Sequence, residues 1–206
     1  MSRTVPPIEM ESYRILRTKV DTNGMSRRTR DVVERVVHST ADLDYVTDLV
    51  CDESALASGA AALAEGASLV VDDKMVATGV GSRESFCMAD LPAVAEIAER
   101  YGISRSAAGI RLAAEVARVG AVWVIGAAPT ALTELLNLSQ AGRVRPALVV
   151  GFPVGLLGAV EAKEALRESG LPQVSNISSK GGAVAAVAVI RALLEGDPLT
   201  ASAEPE

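Results

Sequence analysis

A single histidine serves this chain of 206 residues, which is nearly as sparing with cysteine, of which it has two, and with aromatic residues, 3% in all. Cys51 and Cys87 lie far apart and outside any metal-ligand spacing. They exclude a zinc knuckle or a disulfide framework, and are expected as reduced, small hydrophobes of a cytoplasmic protein. Asp72 and Asp73 form an acidic pair, but no further ligand stands at a suitable spacing, so no metal is expected. Asp72 reads instead as the end of a strand, bonded to neighbouring backbone N–H groups. No Lys/Arg-rich run occurs and the net charge is −6, which argues against a nucleic-acid partner. Arg27, Arg28 and Arg30 are the densest basic group and read as a solvated helix face answered by Asp31 and Glu34.

Long apolar runs are missing too. The most apolar stretch, Pro146 to Val160, is interrupted by Gly151, Pro153, Gly155 and Gly158, short of the roughly 18 residues of a membrane span. The first residues are polar and show no secretory signal. A soluble protein with no membrane partner is expected. Neither a dinucleotide fingerprint nor a P-loop stands in the right place, which disfavours a nucleotide cofactor, and no G-x-S-x-G elbow follows a strand.

What is present is a 49% hydrophobic chain, enough for one compact domain. Residues Ile8 to Val20 read as a first helix. A second runs from the cap Ser26 to His38, and Ser39 to Asp42 reads as a capping box for a short helix ending at Asp48. An Ala-rich helix follows from Ser54 to Ala64. Ser68 to Asp72 reads as a buried parallel strand, Ser85 to Met88 as a second, and Leu91 to Tyr101 and Ser104 to Val119 as helices. From Gly120 three strand-helix units run in series, with strands at Ala121–Ile125, Ala147–Gly151 and Val174–Ser178 and helices after each. The expected fold is α/β: a single doubly wound domain over residues 8–195, with a mostly parallel sheet, helices on both faces and a helical N-terminal segment. Residues 1–7 and 196–206 are expected as flexible ends.

Ligands of such sheets bind beyond the carboxyl ends of the strands. Those ends carry Gly126 to Thr130, Gly151 to Gly155 and Ser178 to Gly182, small residues that let a flat ligand approach the backbone and leave helix N-termini for anions. Arg105 follows the cap Ser104 and Lys180 precedes Gly181 and Gly182 at the last helix. A cation there costs about 0.3–1 kcal/mol against the helix dipole, a cost a ligand carboxylate or phosphate would offset. His38 closes a helix whose apolar stripe is Val32, Val33, Val36 and Val37. That stripe does not include it, so it is either an idle surface imidazole or one that faces a cleft.

Several segments resemble the precorrin-8X and cobalt-precorrin-8 methylmutases of cobalamin biosynthesis, over about Ile8 to Leu194. They are Glu11-Ser12-Tyr13, Arg35 to Thr40, Asp72-x-x-Met75-Val76-x-x-Gly79, Ser104-Arg105-Ser106 to Gly109, Ile125 to Leu132 with Pro129 and Thr130, Pro146 to Gly155, Glu161 to Ala165, and Lys180-Gly181-Gly182. The resemblance implies a methyl migration on ring C of a tetrapyrrole, giving hydrogenobyrinate or cobyrinate, with no cofactor. It makes His38 the general acid. Ser12, Met75, Arg105, Ser106, Pro129, Thr130, Lys180, Gly181 and Gly182 become the substrate-binding residues, and a homodimer is expected. The chain departs from the family pattern at Ala127, where asparagine is usual, and over Ile177 to Ala183, where two arginines are usual. A second reading is a divergent paralogue that holds a corrinoid without converting it.

Overall fold

A computed structural model describes residues 5–201. Six strands form one sheet in the order β1-β6-β5-β4-β2-β3: β1 (Leu49–Cys51), β2 (Leu69–Val71), β3 (Phe86–Cys87), β4 (Val122–Ile125), β5 (Leu148–Gly151) and β6 (Gln173–Asn176). Every pairing is parallel except β1 on β6. The strand residues alternate between two cores as a period of two requires. Leu69, Val71, Val122, Val124, Leu148, Val150 and Val174 face α2 (Arg27–Thr40), α4 (Glu53–Ala64) and α10 (Ala183–Glu195). Val70, Trp123, Ile125 and Val149 face α7 (Arg105–Ala113), α8 (Pro129–Gln140) and α9 (Ala159–Glu168). Helices therefore cover both faces of a mostly parallel sheet, the expected architecture. The remaining helices are α1 (Pro7–Lys19), α3 (Tyr45–Asp48), α5 (Lys74–Gly79), α6 (Pro92–Tyr101) and α11 (Pro198–Ala201).

The strands from β4 to β6 and the helices between them lie within two residues of their expected bounds. Three differences have physical causes. β1 was not expected; it is only three half-buried residues long, too short to show alternation. Helix α7 stops at Ala113 rather than Val119, because the chain must join the sheet: Val119 bridges Arg145, whose N–H donates to the Arg118 carbonyl at 2.7 Å. The third is at the C-terminus, expected to be loose from Gly196. There Arg17 Nη2 donates to Asp197 at 2.9 Å, Arg35 Nη2 donates to the Gly196 carbonyl at 3.0 Å, and the chain continues as α11. At the other end Val5 is buried and α1 begins at Pro7. The parts of the two expected flexible ends at residues 1–4 and 202–206 lie outside the described residues.

The polar side of α2 is solvated at Arg27 and Arg28, as expected, but is buried at Asp31, Glu34 and Arg35. Glu34 is 1% exposed and receives Arg17 Nη2 at 2.7 Å and the Thr22 hydroxyl at 2.7 Å. Arg35 is buried between Glu9 and Glu195, while Arg28 pairs with Glu53 rather than with Asp31. Helix α1 and the α10–α11 turn close over a face that the sequence pattern assigned to water. Cys51 and Cys87 are free thiols on β1 and β3, the two opposite edges of the sheet, and both pack against the core. Among the described residues no helix is long and apolar enough to cross a membrane.

Candidate active site

Helices α2 and α10 pack antiparallel. Arg35 bonds Gly196, Ser39 shares a groove with Val187 and Arg191, and Lys180 pairs with Asp42. The C-terminus of α2 is thereby delivered to the N-terminal half of α10, at the carboxyl edge of the sheet. His38 sits in the last turn of α2 and is half-buried. Its ring stacks on Tyr13 with centroids 4.4 Å apart and planes 15° from parallel. Tyr13 is itself buried, with the Arg35 guanidinium 5.6 Å from its ring centre. Ser39, directly after His38 in the chain, lines a groove of about 330 Å³ together with Met75, Gly79, Ala183, Val184 and Arg191. The His38 ring thus has one face fixed against Tyr13, and the next residue along the chain, Ser39, faces the groove.

Burial pushes the His38 imidazole below its ordinary value of 6.5, Glu9 opposes the shift and Arg35 adds to it. The free carbonyls at the end of α2 act against burial, since a helix C-terminus favours an imidazolium. The Tyr13 hydroxyl is buried with no hydrogen-bond partner among the described residues, and it is the ring that contacts His38. Aromatic stacking contributes about 0.5–1.5 kcal/mol. Tyr13→Phe should therefore retain turnover and melt no lower than the parent, whereas Tyr13→Leu should lose up to about tenfold in kcat. Thermal melts and steady-state rates of the two variants check this; equal rates for both would deny the stacking a role.

The other expected residues follow the strand ends. Met75 is exposed in the first turn of α5, whose cap Asp73 accepts the Met75 N–H at 2.7 Å. Ser12 is half-buried, one residue before Tyr13. Arg105, Ser106, Pro129 and Thr130 lie in the first turns of α7 and α8, which are tied together by the Ser104 and Thr130 hydroxyls at 2.7 Å. Gly181 and Gly182 form the turn into α10. A Cβ on Gly181 would lie 2.5 Å from the Phe152 carbonyl oxygen, so glycine there is required by a close loop-to-loop approach.

Two expected anion sites prove to be occupied from within. The Asp72 carboxylate accepts the N–H groups of Gly126, Ala127 and Ala128, each at 2.9 Å. These belong to the loop that opens α8, so a remote aspartate does the work of a helix cap and no ligand carboxylate is needed there. Burial raises the Asp72 carboxyl and the three N–H donors oppose it. The expectation that Asp72 bonds backbone N–H groups holds, but the groups belong to the neighbouring strand's loop. Lys180, expected to await an anionic ligand, instead reaches Asp42 at 2.7 Å and Asp44 at 2.6 Å. Those hydrogen bonds raise its ammonium, and its effect is to tie the β6–α10 loop to the turn that follows His38. Arg105 differs: it donates to the Ala89 carbonyl at 3.4 Å and acts on Asp90 through its charge, and of its five N–H groups others stay available to a ligand.

Sequence reasoning missed the polar cluster beneath this loop. Lys163, fully buried on α9, bonds Asn176 at the end of β6, and Asn176 in turn donates to Asp48 at 2.8 Å. A signal did exist: Ala159, Ala162, Lys163 and Leu166 are spaced as one buried helix stripe, with a lysine where an apolar residue belongs. Among the described residues no three His, Cys, Asp or Glu side chains come together as metal ligands.

A doubly wound α/β protein with one stacked, half-buried imidazole, directly followed by a residue that lines a groove at the carboxyl edge of its sheet, has the form of an enzyme for a small-molecule ligand. Comparison with known proteins narrows the class. Residues 7–196 match the family model described as precorrin-8X methylmutase. The chain is 37% identical to a cobalt-precorrin-8 methylmutase of Methanocaldococcus jannaschii, over 91% of each chain. It is also 37% identical to a precorrin-8X methylmutase of Pseudomonas aeruginosa, over 90% of this chain and 93% of that one. A solved precorrin-8X methyl mutase from Thermus thermophilus superposes with a TM-score of 0.84 at 32% identity, covering 97% of this chain and 98% of that one. The chain belongs to the precorrin-8X methylmutase family.

Proposed function

We propose that this protein moves a methyl group between neighbouring carbons of ring C in precorrin-8X or cobalt-precorrin-8, with His38 as the proton donor. The observation that carries this reading is the position of His38, the only histidine of the chain, stacked on Tyr13 and directly preceding Ser39, which lines a groove at the sheet's carboxyl edge. The migration is an isomerisation, so one bond to the methyl carbon breaks and one forms, and nothing is gained or lost. The imidazolium of His38 gives its proton to the macrocycle, which becomes more electron-poor and accepts the migrating methyl more readily. Once the methyl has moved, the ring returns the proton to the imidazole. Proton donation of this kind contributes about 10²–10⁴-fold.

Binding then falls to the rim of the site. Arg105 supplies donors for the carboxylate arms of the ring, and Met75 and Val184 offer exposed apolar surface to its face. Ser12, Ser106, Pro129, Thr130, Gly181 and Gly182 complete the binding set, with Lys180 acting by holding the loop. We assign the protein to the cytoplasm and, separately, read it as a homodimer; the second assignment is supported by Leu156 and Leu157, which stand 101% and 89% exposed after β5. The activity is tested by mixing purified protein with precorrin-8X and following the visible spectrum. Formation of the conjugated corrin chromophore is expected. A substrate spectrum that persists at equimolar enzyme would overturn the assignment.

A further inference from the structure

Lys163 is a charged side chain with 0% exposure, and all three of its donors are in use. Its Nζ donates to Asn176 Oδ1 at 2.9 Å, to the Lys180 carbonyl at 2.7 Å and to the Ser178 carbonyl. On the other side of the same loop, Asp48 accepts the Ile177 N–H at 3.1 Å, the Ser178 N–H at 2.7 Å and the Ser178 hydroxyl at 2.7 Å. The Asn176 side chain joins the two charges, since its Nδ2 donates to Asp48. A cation thus gathers the carbonyls of the segment and an anion its N–H groups. Burying such a pair is seldom a net gain in stability, because desolvation offsets the attraction, and an apolar residue of similar volume would fill the position as well. What the pair does provide is one shape for the backbone between β6 and α10.

That shape sets three parts of the site at once. Gly182 N–H donates to the Phe152 carbonyl at 2.8 Å, and Gly181 is held so close to the β5 loop that no side chain would fit. The Lys180 side chain leaves the segment toward Asp42 and Asp44, the turn that follows His38. Ala183 and Val184, the next residues, line the groove together with Ser39. A shift at residue 178 is therefore transmitted to the glycine turn, to the groove wall and to the tether of the His38 helix.

We propose that Lys163 is a positioning residue for the methyl migration: from beneath the β6–α10 loop its ammonium fixes residues 177–182 in the form that receives the macrocycle. The proposal rests on the methylmutase reading of the same site. Charged groups facing Lys163 are Asp48, which supports the ammonium, and Arg167 on its own helix, which opposes it; burial acts most strongly and brings the group down to about 8. Above that pH an amine has two donors for three acceptors, and the loop loosens.

The test uses the full-length protein with precorrin-8X, together with hydrogen–deuterium exchange over residues 177–182. Lys163→Met is expected to raise KM at least tenfold with kcat within about threefold, and to speed exchange in that segment. In the wild type KM should climb as pH rises through about 8, and the variant should lack that climb. A variant that melts earlier but keeps the wild-type KM, pH profile and exchange would overturn the proposal, because a structural role alone would do that. If Lys163→Met does not fold, Asp48→Asn, which weakens the opposite side of the clamp, must show the same faster exchange and higher KM; unchanged values would refute it. If the wild type leaves precorrin-8X unconverted, the methylmutase reading fails. Exchange over residues 177–182 then still decides whether Lys163 pins the loop.

Discussion

His38→Ala lowers kcat by about 10²–10⁴-fold and changes the affinity for precorrin-8X by only a few-fold. No second histidine can take over, since the sequence has none, and both cysteine thiols are raised by burial and so cannot serve as stronger acids near neutral pH. The pH dependence has a definite sign. A general acid works protonated, so the rate falls as pH rises through its pKa. In the free protein burial holds His38 below 6.5, and the falling limb of kcat/KM, which reports the free enzyme, lies below that value. Bound substrate brings several carboxylates next to the imidazole, and nearby negative charge favours the imidazolium. The falling limb of kcat therefore lies at higher pH than that of kcat/KM. Coincident limbs would show that the substrate's carboxylates stay away from His38.

Asp72→Ala lowers the thermal midpoint by about 6–12 °C and disables substrate binding with it. Three backbone N–H groups lose an ionised acceptor, each bond worth about 1.5–3 kcal/mol when charged. Gly126 is buried, whereas Ala127 and Ala128 are half-buried and recover part of the loss from water. The net cost is about 3 kcal/mol, which converts at 2–4 °C per kcal/mol for a domain of this size. The loop released carries Pro129 and Thr130 directly after it, and Thr130 is the hydroxyl partner of Ser104 on α7. Melting of Asp72→Ala against Asp72→Asn checks the account. The asparagine keeps an acceptor oxygen and should recover part of the loss; a midpoint within 1–2 °C of the parent for Asp72→Ala would show that the cradle contributes little.

How far the sequence reached depended on whether a feature is local. Strands β2, β4 and β5 are short runs of buried, mostly apolar residues, which a linear reading shows, while β6, with Val174 as its one apolar residue, is legible mainly from its place in the strand-helix series. β1 is not legible, because three residues gain strand form only by pairing with β6. His38 was found because it is unique, but the sequence pattern could not give its ring partner: Tyr13 lies 25 positions earlier on another helix. Of the two cations that oppose a helix dipole, one has its partners within the chain. Lys180 is answered by Asp42 and Asp44, more than 130 positions earlier in the chain. The buried polar face of α2 was hidden for the same reason, since its partners Arg17, Glu9 and Glu195 come from both ends of the chain. Charges that pair over long sequence distances look like solvent-facing residues until the fold joins them.

Whether His38 gives a proton to a bound macrocycle is decided by a single-turnover measurement. Wild type and His38→Ala, each in excess over precorrin-8X, are mixed with substrate near pH 6 and the visible spectrum is followed. Both are expected to bind, as seen by an immediate perturbation of the substrate's absorption. Only the wild type should then convert promptly to the corrin chromophore, with the variant at least about 100-fold slower. A His38→Ala protein that converts its bound substrate at the wild-type rate would contradict the account.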